Sequence, residues 1–484
     1  KATKDAIVYG MVNDNISIDN DGIGAYAYGQ IIGVYLSFAV DRLADLHSSI
    51  CTWLSTIGAV CHTFSRQAIP MVWDYAEANF FSNSSGCFDN MLTWITKSLI
   101  ELPANSIGTA IQYDAQTDCK LRNVVISTDP PYYDNIGYAN LSDYFYIWLR
   151  QSLKTTYPQL FRTMLVPKME ELVATPYRFE GSRERARHFF EDGMLQACRQ
   201  MYAYAREDVP VTIYYAYKQS EVDEQGEAST GWETMLSAIV HAGFSITGTW
   251  PMRTERSNRS NALETNALAS SIVLVCRKRP QNAPSTTRRT FLAELRKELR
   301  PALHKMQTSN IAPVDMAQAS IGPGMAVYSR YAKVLEAEGS ELTIRKALQI
   351  INKELDTFFT EQEGDTDEAS RVCLALYSQC AFNDLNFGDA DVLARAKNTS
   401  IEALVRLNLA VAEKGIVRLL DRRELPVFAP ASEQSLWLVT QQIAHAMQEK
   451  GVEGSAQIVS RLRRIAPDRV KTLAYRLYSL ADQK

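Results

Sequence analysis

The sequence predicts an α/β protein with an open, mainly parallel sheet in its middle and a mainly helical C-terminal region. The first observation is the apolar, β-branched run at 124–126, of the kind that buried parallel strands use. The second is the Asp-Pro-Pro at 129–131, because two prolines cannot continue a strand ladder. The third is the alternation of strand-like and helix-like patterns from there to residue 277. The strand that ends at Asp129 predicts a ligand site, since open α/β sheets bind ligands at the carboxyl ends of their strands.

Composition sets the limits of the interpretation. A chain of 484 residues has room for about two to four domains and a sizeable core. The formal net charge of −4 argues against a general attraction to nucleic acid, so any DNA contact must come from local basic patches. The eight cysteines include no Cys-x-x-Cys pair and the six histidines are dispersed, which favours neither a zinc site nor a disulfide framework.

The chain carries no obvious targeting signal. No apolar stretch reaches the roughly 18 residues of a membrane span, and no secretory signal is recognisable. We therefore expect a cytoplasmic protein without a membrane partner. The chain begins at Lys1 and not at a methionine, so we also expect it to be part of a longer protein.

Residues 1–105 are expected to form a helical segment. Apolar residues recur at helical spacing over 30–53, which predicts one long helix, and 88–102 has the pattern of a second, amphipathic helix. Polar and aromatic residues are interleaved over 64–81. That block fits the lining of a pocket, and it fits a capped surface helix equally well.

Residues 106–280 are expected to hold the sheet. Strands are predicted at 108–115, 124–128, 209–217, 245–253 and 270–277, and helices at 144–153, 189–206 and 231–241. Gly243 is expected to terminate the last of these helices. Residues 160–185 are predicted to be a polar excursion between two elements of this domain.

The Asp-Pro-Pro-Tyr loop, residues 129–132, has a specific chemical use. The exocyclic amine of a nucleobase is a poor nucleophile because its lone pair is delocalised into the ring. The Asp129 carboxylate and the Pro130 carbonyl could accept both amine hydrogens, and Pro131 would hold them in fixed geometry. Tyr132 could stack on a base that has been flipped out of the duplex. The alternative interpretation is an ordinary turn at the end of a strand, where proline is common.

The loop and its surroundings resemble a known family. Residues 129–132 resemble motif IV of the amino-methyltransferases, and the longer run 129–150 is similar to the large prokaryotic adenine-specific DNA methylases of phage-defence islands, which contain a domain of unknown function. Further stretches are similar to the same family, at 64–79, 229–234, 266–271 and 388–397.

The resemblance implies a class I S-adenosylmethionine-dependent methyltransferase, with a Rossmann-like sheet whose last strand runs antiparallel. It implies that Asp129, Pro130, Pro131 and Tyr132 are catalytic. It also implies that Asp114, at the end of the strand predicted at 108–115, lies near the adenine of the cofactor together with Asp129. A turn in which Asp114 caps the following residues is the equally good alternative.

One part of the family pattern is missing. The glycine-rich loop that holds S-adenosylmethionine, and the acidic residue that holds its ribose, have no counterpart upstream of Gly108. The first strands of the sheet are also absent. The resemblance therefore indicates the target-amine half of the site in an incomplete sheet, and either the other half precedes Lys1 or this chain does not methylate alone.

Candidate DNA contacts are arginines and an aromatic. Arg253, Arg256 and Arg259 lie among small polar residues between the last two predicted strands, which suits phosphate contact. A solvated hairpin is the alternative, because Glu255 reduces the net positive charge of this stretch. Tyr133, the second aromatic after the prolines, is the further candidate.

Residues 281–484 are expected to form a mainly helical region, connected by a polar linker at 280–290. Two short helices at 389–395 and 401–407, followed by a hairpin at 410–420, resemble a winged helix, which we bound at about 387–421. Winged helices bind DNA or act as protein–protein adaptors, and this one is not notably basic. The residues that select the target sequence of the DNA are expected to lie after residue 290.

The function that the sequence predicts is methyl transfer from S-adenosylmethionine to the exocyclic amine of a flipped base in double-stranded DNA, in restriction–modification or phage defence. Adenine N6 is the preferred target, and cytosine N4 is the alternative. The hypothesis from a different class is a non-catalytic DNA-binding or scaffold subunit that works with other subunits of a defence complex.

Overall fold

The computed structural model describes residues 1–64, 71–84, 86–102, 105–133, 137–215, 230–252, 271–309, 313–362, 366–397, 399–425, 435–460, 462 and 465–482. The chain divides into two units by its internal contacts. The first unit comprises residues 1–119 and 131–193, and the second comprises residues 120–130 and 194–484. Residues 131–193, which the sequence assigns to the sheet region, group here with the N-terminal residues. No helix within the described ranges combines the length and the apolar character that crossing a bilayer requires.

The first unit is mainly helical. Its elements are α1 (Ala2–Val8), α2 (Ala25–Ala44), the short strands β1 (Trp53–Leu54) and β2 (Ala59–Val60), α3 (Phe88–Glu101), α4 (Tyr138–Leu153) and the first half of α5 (Arg183–Tyr204). A small apolar cluster joins α2 to α3, with Ala39, Leu43 and Met91 at its centre. The predicted helix at 88–102 is confirmed.

The helix predicted over 30–53 ends earlier, at Ala44. The side chain of Asp45 is the reason. It accepts hydrogen bonds from the Nδ1 atom of His62 at 2.6 Å and from the backbone N–H of Thr63 at 3.2 Å. The chain after residue 45 is therefore tied to a loop that returns from residue 63, and helical periodicity alone does not reveal that contact.

The second unit contains a four-stranded sheet. Its strands are β3 (Ser127–Thr128), β4 (Val211–Tyr215), β5 (Phe244–Met252) and β6 (Ser271–Lys278), and α6 (Thr230–His241) connects β4 to β5. The spatial order is β3-β4-β6-β5. Strands β3 and β4 are parallel, and β6 runs antiparallel to both of its neighbours. The mixed α/β class and the element order predicted for 124–277 are confirmed. Gly243 has a φ of +104° where α6 has ended, as expected of a helix stop.

Strand β3 is shorter than the predicted 124–128, but the backbone before it is also paired. The N–H of Val124 donates to the carbonyl of Tyr204 at 3.0 Å, and the N–H of Thr212 donates to the carbonyl of Ile126 at 3.1 Å. The whole apolar run therefore lies along the end of α5 and the start of β4. Only its last two residues have the regular ladder of a strand.

In this region one sequence prediction is wrong and another holds only in part. Residues 108–113 form no strand, and the side chains of Ile107 and Ile111 are exposed. A β-branched run needs a partner strand, and none of the described residues pairs with this one. The linker predicted at 280–290 is structured at its end, where β7 (Thr286–Thr287) pairs in parallel with β8 (Val334–Leu335) and Arg288 begins a helix.

Three helices follow the sheet: α7 (Arg288–Thr308), α8 (Pro313–Ser329) and α9 (Ile344–Gln362). Helix α8 packs on the edge strand β5 through small residues. The Ser245 hydroxyl donates to the carbonyl of Ser329 at 2.9 Å, and the Ser329 hydroxyl accepts from the N–H of Ile246 at 2.8 Å. A Cβ atom added at Gly322 would lie 2.1 Å from Oγ1 of Thr249, so glycine permits this approach. The helix thereby covers an edge that would otherwise be open.

The C-terminal part of the second unit has its own core. Its elements are α10 (Glu368–Cys380), β9 (Leu385–Asn386), α11 (Phe387–Ala396), α12 (Ile401–Arg406), β10 (Ala410–Glu413), β11 (Ile416–Leu419), α13 (Leu436–Val459) and α14 (Pro467–Asp482). The small sheet has the order β10-β11-β9. The two short helices and the hairpin lie where the sequence predicts them. Trp437 and Leu438 are fully buried in the cluster that joins α13 to these elements.

Candidate functional site

The Asp-Pro-Pro-Tyr loop leaves the sheet directly after β3. Ser127 and Thr128 pair with Thr212 and Ile213 of β4, so the backbone that precedes Asp129 is fixed in the ladder. Asp129 itself is exposed. Its carboxylate makes no hydrogen bond or ion pair with another residue that the structure describes, which leaves both oxygens able to accept hydrogens from a ligand.

The chain passes from the second unit to the first between Pro130 and Pro131, inside the loop. Its downstream end is held within the first unit. The carbonyl of Tyr133 accepts a hydrogen bond from the N–H of Ala174 at 2.8 Å. The ring of Tyr133 lies edge-on to Phe190, with 5.2 Å between the ring centroids, and Phe190 is fully buried. Tyr133 is therefore anchored within the first unit, and the DNA contact that the sequence suggests for it stays a prediction.

Tyr132, which precedes that anchor, is half-buried. Residues 134–136 lie outside the described part of the chain. Helix α4 begins just after them, and Glu171 accepts a hydrogen bond from the N–H of Ala139 in its first turn at 3.0 Å. Glu171 also forms an ion pair with Arg178 at 2.6 Å. The sequence placed Arg178 in a polar excursion, but it gave no signal for Glu171, because the partner of this carboxylate lies 32 positions away.

Asp114 lies in a turn, which is the alternative interpretation of this residue from the sequence. Its Oδ1 atom accepts hydrogen bonds from the backbone N–H of Gln116 at 2.9 Å and from the side-chain amide of Gln116 at 3.4 Å. The residue is exposed and follows no strand. The implied position of Asp114 at the end of a strand is therefore wrong, and its carboxylate is engaged in a local Asx turn.

Arg253, Arg256 and Arg259 lie outside the described residues. They fall in the connection between Met252, the last residue of β5, and Ser271, the first residue of β6. The predicted hairpin position is therefore compatible with the flanking strands. The arginine contacts themselves stay a prediction.

The winged-helix-like segment has a balanced surface charge. Helix α12 carries Glu402 and Arg406 on exposed positions. Behind the hairpin, Arg418 pairs with Glu424 at 2.7 Å, and this hydrogen bond lowers the pKa of Glu424 to about 2. Acidic side chains thus offset the arginines that would contact phosphates, so the segment lacks the basic stripe that is typical of DNA-binding winged helices.

No strand followed by a glycine-rich loop lies among the described residues, and Asp114 is part of a turn. The binding of S-adenosylmethionine stays a prediction. The carboxylate of Asp129 and the carbonyl of Pro130 follow the end of β3 in the second unit, and Tyr132 belongs to the first unit. A carboxylate and a carbonyl are both acceptors, so this part of the loop can accept the hydrogens of an amine.

Comparison with known proteins identifies one region. The model of a family described as a domain of unknown function (DUF8807) matches residues 367–484, the part that holds α10 to α14. No curated protein and no solved structure matches the chain.

Proposed function

We propose that this chain carries the target-amine half of a DNA amino-methyltransferase. The enzyme transfers a methyl group from S-adenosylmethionine to the exocyclic amine of a flipped base, with adenine N6 preferred over cytosine N4. The observation that carries the proposal is the exposed Asp129 at the end of β3. The sheet order β3-β4-β6-β5, with β6 antiparallel, supports it, because it agrees with the resemblance to the second half of a class I methyltransferase sheet.

The chemistry follows from the geometry of the loop. An amine whose two hydrogens are accepted by Asp129 and by the Pro130 carbonyl is drawn towards tetrahedral geometry, and its lone pair then points at an electrophile. The fixed φ of proline limits the motion of the accepting carbonyl. Tyr132 stacks on the extruded base and compensates part of the lost base stacking.

S-adenosylmethionine supplies an electrophilic methyl group when it is bound. In this proposal the chain orients the target amine of the DNA. The family resemblance suggests cytoplasmic restriction–modification or phage defence as the setting. Double-stranded DNA is the substrate.

Mass spectrometry of plasmid DNA methylated by the full-length protein tests the proposal. We expect N6-methyladenine, or N4-methylcytosine if the alternative target holds. Asp129→Ala should lower the methylation rate at least about 100-fold with little loss of stability, because an exposed loop carboxylate contributes little to packing. Glu207→Ala is the matched control, since Glu207 is also an exposed acidic residue in a loop of the second unit. The proposal would be contradicted if the protein bound S-adenosylmethionine and the treated DNA contained neither modified base.

The second candidate is a non-catalytic DNA-binding or scaffold subunit of a defence complex. Two observations favour it: the described residues hold no cofactor loop, and the DUF8807 region of unknown function occupies residues 367–484. Calorimetric titration of the full-length protein with S-adenosylmethionine separates the candidates. Saturable binding favours the enzyme, whereas DNA binding without cofactor binding favours the subunit.

A further inference from the structure

Residues 166–178, the bracing segment, fold against the first turn of α4 within the first unit. Leu172, Val173 and Ala174 in its middle are buried. Leu172 packs on α5 so closely that a Cβ atom added at Gly193 would lie 2.3 Å from Cδ2 of this leucine. The segment is therefore a packed part of the unit, although the sequence predicts a polar excursion.

Glu171 in this segment serves two partners. One carboxylate oxygen accepts the hydrogen bond from the N–H of Ala139, and the other accepts from Arg178 at 2.6 Å. The first turn of a helix has N–H groups without intrahelical partners and a positive partial charge, so a carboxylate there is stabilised. Only 16% of the Glu171 side chain and 8% of the Arg178 side chain are exposed, which makes this pair much less hydrated than an ordinary surface ion pair.

Arg178 closes the segment on itself. Its Nη1 atom donates to the carbonyl of Lys168 at 2.9 Å, while Nη2 contacts Glu171. Burial acts to lower the pKa of Arg178, but hydrogen bonds to Glu171 and Tyr177 outweigh that effect and raise it. The guanidinium thus stays charged, and it neutralises the carboxylate that caps α4.

The same segment holds the end of the Asp-Pro-Pro-Tyr loop. Three residues after Glu171, the N–H of Ala174 donates to the carbonyl of Tyr133 at 2.8 Å. The bracing segment therefore fixes the chain on both sides of the stretch between Tyr133 and the first turn of α4.

We propose that Glu171 and Arg178 are positioning residues that hold the downstream end of the Asp-Pro-Pro-Tyr loop, so that Tyr132 is presented to the flipped base in a fixed orientation. This inference rests on the proposed function, and it names two residues that act through the loop without touching the substrate. Small displacements of such a loop cost about 100-fold in rate, because the reacting amine is no longer aligned.

The test uses single-turnover methylation by the full-length protein, with DNA affinity and melting temperature measured in parallel. Glu171→Gln keeps an oxygen for the Ala139 N–H but removes the charge that Arg178 needs, and Arg178→Lys removes the forked donor. We expect each variant to lower the methylation rate about 10- to 100-fold and to change the DNA dissociation constant less than about threefold.

Glu354→Gln is the matched control. Glu354 pairs with Arg296 at 2.9 Å, is 7% exposed, joins α9 to α7, and lies outside the stretches that resemble the methylase family. It should lower the melting temperature but leave the methylation rate within about twofold of the wild type. Rates of Glu171→Gln and Arg178→Lys that equal those of the control would overturn the inference.

A double variant separates positioning from stability. Glu171→Gln combined with Arg178→Met leaves no unpaired buried charge, so the melting temperature should recover towards that of the wild type. The methylation rate should stay low, because no guanidinium then ties residue 171 to the carbonyl of Lys168, and the bracing segment is no longer closed. Recovery of rate and melting temperature together would assign the pair a purely structural role and contradict the proposal.

Hydrogen exchange distinguishes this inference from the proposed function. Exchange of the backbone amides of Ala139 and Ala174 should accelerate about tenfold or more in Glu171→Ala, which leaves no acceptor for the Ala139 N–H, and not in the control variant. If the wild type transfers no methyl group, the proposed function fails and exchange alone decides whether the pair holds the loop. Unchanged protection of both amides would refute positioning, whatever the activity.

Discussion

Asp114 and Asp129 each follow an apolar run in the sequence, but they have different surroundings in the structure. The run before Asp129 pairs with β4, and its carboxylate stays exposed after the ladder ends. The run before Asp114 has no strand beside it among the described residues, and the carboxylate bonds to Gln116 two positions later. What separates the exposed acid at a strand end from the turn acid here is the neighbouring strand, which is a non-local contact.

At the residue scale, Asp41 on α2 should make stability depend on pH. Its Oδ1 atom is buried without a hydrogen-bond partner among the described residues, and burial raises its pKa from 3.8 to about 7. A raised carboxyl pKa favours the folded state at low pH, where the group is neutral in both states. That contribution is lost as the pH rises from about 4 to about 7.

Asp41→Asn should therefore stabilise the protein at pH 8 and leave its stability at pH 4 nearly unchanged. We expect a gain on the order of 2 kcal/mol, less than the whole pKa shift implies, because the side chain is only partly buried. Thermal melts of wild type and variant at both pH values measure it. Asp192→Asn, at an exposed position within α5, is the control and should show no such difference.

At the element scale, the packing of α8 on β5 is one of the contacts that attach the helices after residue 286 to the sheet. Thr249 on β5 donates its hydroxyl to the carbonyl of Ala319 at 3.1 Å, directly beside Gly322. Arg279 extends the same interface by donating to the carbonyls of Ser329 and Tyr331. Helix α8 and the residues directly after it are therefore packed together with the strands that precede them.

Gly322→Ala should destabilise this interface by about 2 kcal/mol, because a Cβ atom has no room beside Thr249 and the helix must shift. Urea unfolding monitored by circular dichroism measures the change in midpoint. Gly388→Ala is the matched control, since Gly388 also lies in a helix and a Cβ atom added there would meet nothing within 4 Å. A midpoint for Gly322→Ala equal to that of the control would show that α8 does not depend on this close approach.

At the scale of the whole molecule, charge is distributed so that many arginines of the described residues are already neutralised. Arg296, Arg300 and Arg330 each pair with a glutamate, at 2.9, 2.7 and 2.6 Å respectively. The winged-helix-like segment is balanced in the same way. The connection between β5 and β6 carries three arginines, and these are the candidates for a DNA contact.

Replacing Arg253, Arg256 and Arg259 together by alanine should reduce the salt dependence of DNA binding. If each neutralises one phosphate, the slope of log affinity against log salt should flatten by roughly two to three units. Fluorescence anisotropy from low to moderate salt provides the slope. Replacing the three paired arginines at 296, 300 and 330 removes the same formal charge and should alter the slope by less than about one unit. An unchanged slope in the first variant would place the DNA path elsewhere, with Arg288 and Arg289 next to be tested.

The sequence by itself determined the local features of this protein. β-branched runs, the Asp-Pro-Pro-Tyr stop, the glycine after α6 and the periodicity of the C-terminal helices depend on interactions between near neighbours, and most of these elements lie where the sequence predicts them. Tertiary structure decided the rest. The insertion of β6 between β4 and β5, the loss of a strand at 108–115 and the capping of α4 by Glu171 each require a partner from elsewhere in the chain. Local patterns cannot encode the identity of such partners, because burial and pairing are properties of the folded chain.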